Sequence, residues 1–499
     1  MADHKPGSLQ TGFAARPRQD GMMTDTCCAT SNACAVTPDL VVIGAGSAGF
    51  SASIRAGELG AKVALIGDGT IGGTCVNTGC VPSKTLIRAA ATLHAARIAG
   101  RFAGITATAT LADWPALLAQ KDALAAGLRS TKYEQLLPRY DHIRYVAGAA
   151  RFAGDMVVAA GEAFPAARVV IATGAAPAVP AIAGLASVPW LTSTTALALP
   201  RLPQSLLVIG GGVIGCELGQ MFARFGVAVT IVCRSHLLPQ NEPEVSAALA
   251  TYLRAEGITV LCGLTYDSIR RTEHGIALRA GADGGMQDIA AEQVLIATGR
   301  TPNSHGMGLE GAGVATDLRG AIVVDAHLQT TRAGVYAAGD VTGRDEYVYM
   351  AAYGAGLAAE NALAGNARYY DARAMPEVVF TDPQVACVGL TEAAARAAGH
   401  AVASVTLPLD QVPRALAARD TRGLIRLIAE AETGALLGAH ILAPEGSDSI
   451  QAAVLAVRHR LTITDLSATL FPYLTTVEGL KLAALGFSKD VSLLSCCAG

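Results

Sequence analysis

The chain has 499 residues, of which 51% are hydrophobic and only 16% charged, with a formal net charge of -3. That length suits about three domains, and the balance excludes a basic nucleic-acid binder and a long disordered chain. The mean hydropathy is +0.38. Even so, no run of about 18 apolar residues escapes charge or Gly/Pro punctuation, so no membrane span is expected. Residues 1–35 lack the apolar run of a signal peptide, which points to the cytoplasm. The 11 cysteines then read as reactive or metal-binding thiols rather than a secreted disulfide scaffold.

Residues 1–38 show no helical or strand period and read as a flexible, Cys-containing arm with Cys27, Cys28 and Cys34. Regular structure starts with an apolar strand, Leu40-Val41-Val42-Ile43, which runs into a turn bearing Gly44, Gly46 and Gly49. A helix over residues 50–59 and a strand over residues 62–66 complete a βαβ unit. A second copy follows: a strand at residues 206–209, a turn with Gly210, Gly212 and Gly215, a helix over residues 216–225 and a strand over residues 228–233. A lone G-x-G-x-x-G is weak, but two copies with correct framing point to two dinucleotide folds. In each, the first Gly allows the tight turn, the second lets backbone approach a pyrophosphate, and the third brings helix and strand together.

Two further segments resemble each other, each a strand ending in Ala-Thr-Gly: Ala172-Thr173-Gly174 and Ala297-Thr298-Gly299. A strand ending in Gly339-Asp340 places a carboxylate where a sugar or ribitol hydroxyl could donate to it. From about Met375 the pattern changes to strands at 378–380, 424–429 and 435–441 and a helix at 448–459, an α+β domain.

The most informative segment is Gly72-Gly73-Thr74-Cys75-Val76-Asn77-Thr78-Gly79-Cys80-Val81-Pro82-Ser83-Lys84. Its C-x4-C thiols suit a disulfide that opens and closes beside a cofactor. Lys84 brings a cation that favours thiolate. A structural zinc half-site is the bland alternative, but no second Cys or His pair has ligand spacing. The chain ends on an adjacent pair, Cys496-Cys497, while Cys216, Cys233, Cys262 and Cys387 are scattered singly and read as small buried hydrophobes without a role.

Together, these motifs resemble the pyridine-nucleotide disulfide oxidoreductase family over about residues 38–487. The resemblance implies an α/β fold with two Rossmann-like domains, for FAD and NADPH, plus a C-terminal α+β dimerisation domain. The expected layout is the arm (1–38), FAD domain (39–190), NADPH domain (191–308), FAD domain resumed (309–374), interface domain (375–487) and a mobile tail (488–499). It implies FAD contacts from the first glycine turn and from Asp68, Gly69, Gly73, Thr74, Lys84, Ala150, Thr173, Gly174, Gly339, Asp340 and Val348. It also implies nucleotide contacts from the second turn and Arg234, a Glu217–Lys84 pair, and a homodimer whose active sites are shared between subunits.

Several positions depart from the family. Where its disulfide reductases carry a His-Pro-Thr-x-x-Glu acid–base element, this chain has Phe471-Pro472-Tyr473-Leu474-Thr475-Thr476. A substrate disulfide needs a proton for its leaving thiolate, so reduction of one is not expected. The 470–474 stretch and the Cys-Cys end are instead similar to the branch of the family that reduces mercuric ion, a soft cation that favours thiolates. This implies that Cys496 and Cys497 of one subunit take Hg(II) from small cytosolic thiols and pass it to Cys75 and Cys80 of the other. Cys80 would be the flavin-contacting thiolate, with Tyr133 and Tyr473 flanking the transfer site. Gly67 stands where the family has an acidic strand-end residue, with Asp68 next. Arg234 favours NADPH, and Gln240 replaces a further basic residue. A small N-terminal metal-binding domain does not fit in the arm, where Cys27, Cys28 and Cys34 read equally as an Hg(II) relay or as idle. The competing functions are a thiol–disulfide reductase of the glutathione reductase or lipoamide dehydrogenase type and a mercury-binding protein without turnover.

Overall fold

A computed structural model describes residues 37–493 apart from Asp283. The thiols of the N-terminal arm (Cys27, Cys28 and Cys34) and of the tail (Cys496 and Cys497) lie outside these residues.

The chain opens with β1 (Leu40–Ile43), α1 (Ser47–Glu58) and β2 (Val63–Gly67). The strands are short, apolar and wholly buried, as strands covered on both faces must be. Then come the thiol-bearing helix α2 (Cys80–Arg97), β3 (Ile143–Ala147) and β4 (Val169–Ile171). The second fold repeats the plan with β5 (Ser205–Ile209), α3 (Val213–Arg224), β6 (Ala228–Val232), β7 (Thr259–Leu261) and β8 (Gln293–Ile296). Its parallel sheet runs β7-β6-β5-β8. The chain then returns to the first sheet as β9 (Val335–Ala337), giving the parallel order β9-β4-β1-β2-β3. Next comes α4 (Val348–Ala364).

The two Ala-Thr-Gly turns follow β4 and β8, the strands beside β1 and β5. That placement explains the first glycine of each motif. A Cβ on Gly44 would lie 2.2 Å from the Ala172 carbonyl oxygen, and one on Gly210 would lie 2.1 Å from that of Ala297. The third glycine is equally constrained: a Cβ on Gly49 would sit 1.7 Å from the Gly44 oxygen, and one on Gly215 would sit 2.0 Å from the Gly210 oxygen.

The helices begin earlier than their apolar runs suggest, at Ser47 rather than residue 50 and at Val213 rather than residue 216. Gly46 and Gly212 are extended N-caps, so the first helical turn follows each glycine directly. Two antiparallel three-stranded inserts lie outside the sequence reading, at residues 150–165 and 265–291.

The C-terminal domain is an antiparallel sheet of β10 (Pro376–Val379), β11 (Gln384–Gly389), β12 (Val402–Pro408), β13 (Leu424–Glu430) and β14 (Leu436–Ala443), ordered β10-β11-β14-β13-β12. Helices α5 (Gly446–His459) and α6 (Glu478–Leu485) supply its core with Ile450, Ala453, Leu480 and Ala483. The expected α/β plan with a C-terminal α+β domain is the observed one. Among the described residues no helix is long and apolar enough to cross a membrane.

Two helix contacts position the site. Small side chains (Ala48, Ala52 and Ala56 of α1; Ala355, Ala358 and Ala359 of α4) share one buried core. Leu86, Ala90 and Leu93 of α2 pack with Leu218, Met221 and Phe222 of α3, which clamps the thiol helix to the second nucleotide fold.

Candidate active site

A cavity of about 1310 Å³ runs between the first nucleotide fold, the thiol segment and the start of the C-terminal domain. It exceeds the few hundred to about 1,000 Å³ of an ordinary small-molecule pocket and suits an extended dinucleotide. Three helix N-termini open on it, through Ser47 of α1, Cys80 of α2 and Val348 of α4. Their unpaired N–H groups favour negative charge.

The redox segment is built by a short helical turn and the start of a long helix. Gly73–Asn77 forms one turn carrying Cys75, and α2 begins at Cys80. The bend between them is pinned by Asn77, whose Nδ2 donates to the carbonyls of Ile71 (2.9 Å) and Gly73 (2.8 Å), while its Oδ1 accepts from Arg129 (3.0 Å). Both cysteines are free thiols on the cavity wall. They differ electrostatically. The hydrogen bond between them, followed by burial, pushes the Cys75 thiol well up. The same bond, with the Lys84 cation assisting and burial opposing, lowers Cys80 to about 7. A helix N-terminus acts in the same direction. Cys80 is therefore the member held near thiolate at neutral pH.

Lys84 lies one helical turn beyond Cys80. Its Nζ is 2.7 Å from Glu217 Oε2 and 5.0 Å from the Phe380 ring centroid. Glu217 is only 3% exposed, and its other oxygen accepts the Phe380 N–H at 2.9 Å. A buried carboxylate needs such compensation for every lone pair it turns inward. The Glu217–Lys84 pair expected from the resemblance is thus formed, between α2 and α3.

Of the other residues expected at the first cofactor, Gly44, Gly46, Asp68, Gly73, Thr74, Ala150, Thr173, Gly174, Gly339, Asp340 and Val348 line this cavity. Gly49 lies behind the turn, where it allows α1 to approach the strand. Gly69 is a solvent-facing turn residue with open space around its Cα. Thr173 Oγ1 donates to the Asn303 carbonyl at 2.7 Å, and the Asn303 side chain returns a bond to Thr173 O at 3.0 Å. Burial raises the pKa of Asp340, opposed by Arg300, whose Nε is 3.5 Å away.

Gly67 has a steric reason to be glycine. A Cβ there would lie 2.5 Å from that of Ala45 and 3.0 Å from the Tyr145 hydroxyl oxygen. Asp68 is the acidic group that reaches the cavity instead. These features suit an adenine–flavin dinucleotide: Cβ-free turns, helix N-termini and the carboxylates of Asp68 and Asp340 on the cavity wall.

The second turn also has room for an anionic nucleotide, because a Cβ on Gly212 would meet nothing within 4 Å. Arg234 and Gln240 are both exposed beside that turn, and Arg234 follows β6 by two residues. Tyr133 stacks edge-on against Phe50, with centroids 4.8 Å apart, and lies over Gly72, outside the cavity lining. Tyr473 is on the loop before α6, about half exposed. In the same loop, Phe471 packs against the C-terminal core, so the place of an acid–base His is taken by an aromatic anchor. The sequence reading missed Arg300, Glu346 and Tyr347, which also line the cavity. Arg300 directly follows the second Ala-Thr-Gly turn, and that position is the signal for it in the sequence. Among the described residues no group of three or more His, Cys, Asp or Glu could hold a metal ion.

Comparison with known proteins agrees with this geometry. The model of the pyridine nucleotide-disulphide oxidoreductase family matches residues 38–359, and that of its dimerisation domain matches residues 375–484. The chain is similar to a mercuric reductase of Streptomyces lividans, at 48% identity over 92% of this chain and 98% of the relative. It is 46% identical to a mercuric reductase of Staphylococcus aureus, over 92% and 84% of the two chains. Among solved structures, the HOCl-induced flavoprotein disulfide reductase RclA of Escherichia coli, in a Cu(II) complex, superposes with TM-score 0.80. It shares 30% identity, covering 91% of this chain and all of that one.

Proposed function

The chain belongs to the pyridine nucleotide-disulphide oxidoreductase family, and from that premise we propose that it is an NADPH-dependent flavoprotein that reduces Hg(II) to Hg(0). One observation carries the choice of substrate. A dithiol with one thiol near thiolate faces a dinucleotide cavity, yet the loop that should supply a proton-handling His presents Phe471, partly buried against the domain core. Release of an organic thiolate calls for a proton donor. Release of a reduced metal atom from sulfur does not. The names of the curated relatives support the same reading.

The overall conversion, Hg(II) plus NADPH giving Hg(0), NADP+ and one proton, uses bound FAD as the two-electron relay between nucleotide and metal site. The protein groups have separable tasks. Cys80 and Cys75 hold the soft ion as a dithiolate, each exchanging a proton for a metal–sulfur bond. Lys84 stabilises negative charge at Cys80 and along the cavity wall, and Glu217 fixes that cation in place. Arg234 meets the nucleotide's 2′-phosphate. Cys496 and Cys497, on the tail, deliver Hg(II) by thiolate exchange from small thiols, so the ion is never bare. Tyr473, about half exposed on the loop before α6, flanks that exchange, whereas Tyr133 is held in packing against Phe50.

The delivery pair acts on the partner subunit. Support comes from the dimerisation domain and from its exposed apolar loop, where Leu470 is 91% and Leu474 44% exposed. Such a cluster in a domain of this kind fits burial against a second copy.

The experiment is NADPH oxidation by the purified yellow protein with and without Hg(II), beside Cys496→Ala/Cys497→Ala. Hg(II)-stimulated oxidation with release of Hg(0) is expected, weakened in the variant when thiol is limiting. Absence of stimulation, with reduction of glutathione disulfide or lipoamide instead, would overturn the proposal.

A further inference from the structure

The second nucleotide fold holds a thiol pair of its own. In the parallel register of β6 and β7, Val232 pairs with Leu261, so Cys233 and Cys262 are the next residues along. The backbone keeps them abreast. The Cys233 N–H donates to the Leu261 carbonyl at 3.0 Å, and its own carbonyl accepts from the Leu264 N–H at 3.1 Å. Adjacent strands run about 4.8 Å apart, inside the Cα separation of about 4.4–6.8 Å that a disulfide spans. The side chains already meet, with the Cys233 thiol donating to Cys262 Sγ at 3.2 Å.

The place of this pair gives it significance. Cys233 immediately precedes Arg234. A Cβ on Gly211 would lie 3.0 Å from Cys233 Cβ and 3.2 Å from its sulfur, so the thiol packs against the middle of the glycine turn. The Gly211 carbonyl in turn accepts the Leu238 N–H at 2.8 Å and the Cys216 thiol at 3.5 Å. The turn, the Arg234 segment and the thiol pair form one tightly packed unit.

We propose that Cys233 and Cys262 are an oxidative modification site, a second dithiol–disulfide couple whose closure weakens pyridine-nucleotide binding. This goes beyond mercury reduction and does not depend on it. The oxidant is a hydroperoxide. The half-buried Cys262 thiol is the accessible member and takes one oxygen from hydrogen peroxide to become a sulfenic acid, with release of water. The Cys233 thiol then attacks that sulfur, the S–O bond breaks, and a second water leaves as the S–S bond forms. The two thiols lose two electrons and two protons, and the peroxide is reduced to two waters. Burial pushes Cys233 up to about 12, which suits a resolving thiol better than a first attacker. Drawing the sulfurs together rotates Cys233 against Gly211, and a turn without slack passes that motion to the nucleotide site.

The test uses full-length holoprotein without Hg(II). After hydrogen peroxide treatment, free thiols are alkylated and tryptic peptides are mapped. Cleavage after Arg234 and Arg254 puts the two cysteines in separate peptides. NADPH affinity is measured in parallel by nucleotide fluorescence. The expected result is a Cys233–Cys262 cross-linked peptide, reversed by dithiothreitol, with affinity lowered at least about fivefold. In Cys262→Ser, both the cross-link and the affinity change should be absent, while the untreated variant binds NADPH normally. Recovery of Cys233 and Cys262 as alkylated thiols after excess peroxide overturns the proposal. So does a cross-link that leaves affinity unchanged. Peptide mapping of the unsubstituted protein decides the chemistry even if the variant folds poorly.

Discussion

The two nucleotide folds are near copies in backbone and opposites in chemistry. Gly44 and Gly210 adopt φ of +118° and +121°, and the third glycine of each motif presses on the first to within a few tenths of an ångström of the same distance. The divergence begins where the second strand ends. In the first fold, Gly67-Asp68 presents a carboxylate. In the second, Cys233-Arg234 presents a guanidinium. The neighbours differ as well: Gly46 faces the Cα of Gly73 at the start of the thiol segment, whereas Gly212 faces open space. The glycine pattern therefore specifies a turn and an anion-binding helix start, and the residues just past the second strand and above the second glycine specify what each fold does with them.

The largest effect that would break this comparison lies in the first fold. Replacing Cys80 with Ser should cut Hg(II)-dependent turnover at least about a thousandfold, since members of a catalytic unit fail together. NADPH binding, measured by fluorescence, should survive because the second fold is untouched. Next come the glycines. Gly49→Ala drives a methyl onto a carbonyl oxygen and should cost more than about 4 kcal/mol, read as a loss of retained flavin or of soluble protein. Gly212→Ala, with space around it, should fold with its thermal midpoint nearly unchanged. Then the strand-end charges: Arg234→Ala removes a charge-assisted hydrogen bond worth about 1.5–3 kcal/mol. It should raise KM for NADPH roughly ten- to hundredfold, with kcat and KM for NADH almost unmoved. The smallest effect is on acidity. With Cys80 lowered to about 7, alkylation of the reduced protein by iodoacetamide should rise with pH through about 7 as thiolate forms. Lys84→Gln removes a cation that favours thiolate, so the midpoint should move upward by about one unit.

Much of this was legible along the chain because it depends on neighbours in sequence. The buried strands Leu40–Ile43 and Ser205–Ile209, the glycine turns and the Cys75–Cys80 segment carry their own explanations. The antiparallel inserts were not legible. Strands such as Ala150–Ala153 and Glu162–Pro165 are four residues long, and each shows only a brief alternation of burial. The site's long-range partners were hidden for another reason. Arg300 meets Asp340 across 40 residues, and Cys233 meets Cys262 across two strands and an intervening helix. Four cysteines read as solitary were in fact two solitary ones, Cys216 and Cys387, and one pair in contact. Only strand register could reveal that, because register turns distance along the chain into adjacency in space.

Glu217 has a consequence for how such a protein can be rebuilt. Its carboxylate sits on the second nucleotide fold, binds a lysine from the first, and accepts a backbone N–H at the start of the C-terminal domain. A chimera that takes its first domain from a relative must therefore inherit a cation at position 84 together with an acid at 217, or bury a charge without its counterion. At Phe380 the amide could come from any residue other than proline, but the ring that lies 5.0 Å from Lys84 Nζ could be replaced only by another aromatic. Domain grafts across this junction must therefore carry the 84–217 pair together, and a transplanted C-terminal domain must also bring the Asp382 carboxylate that lies 2.9 Å from the buried Arg224 of the second fold.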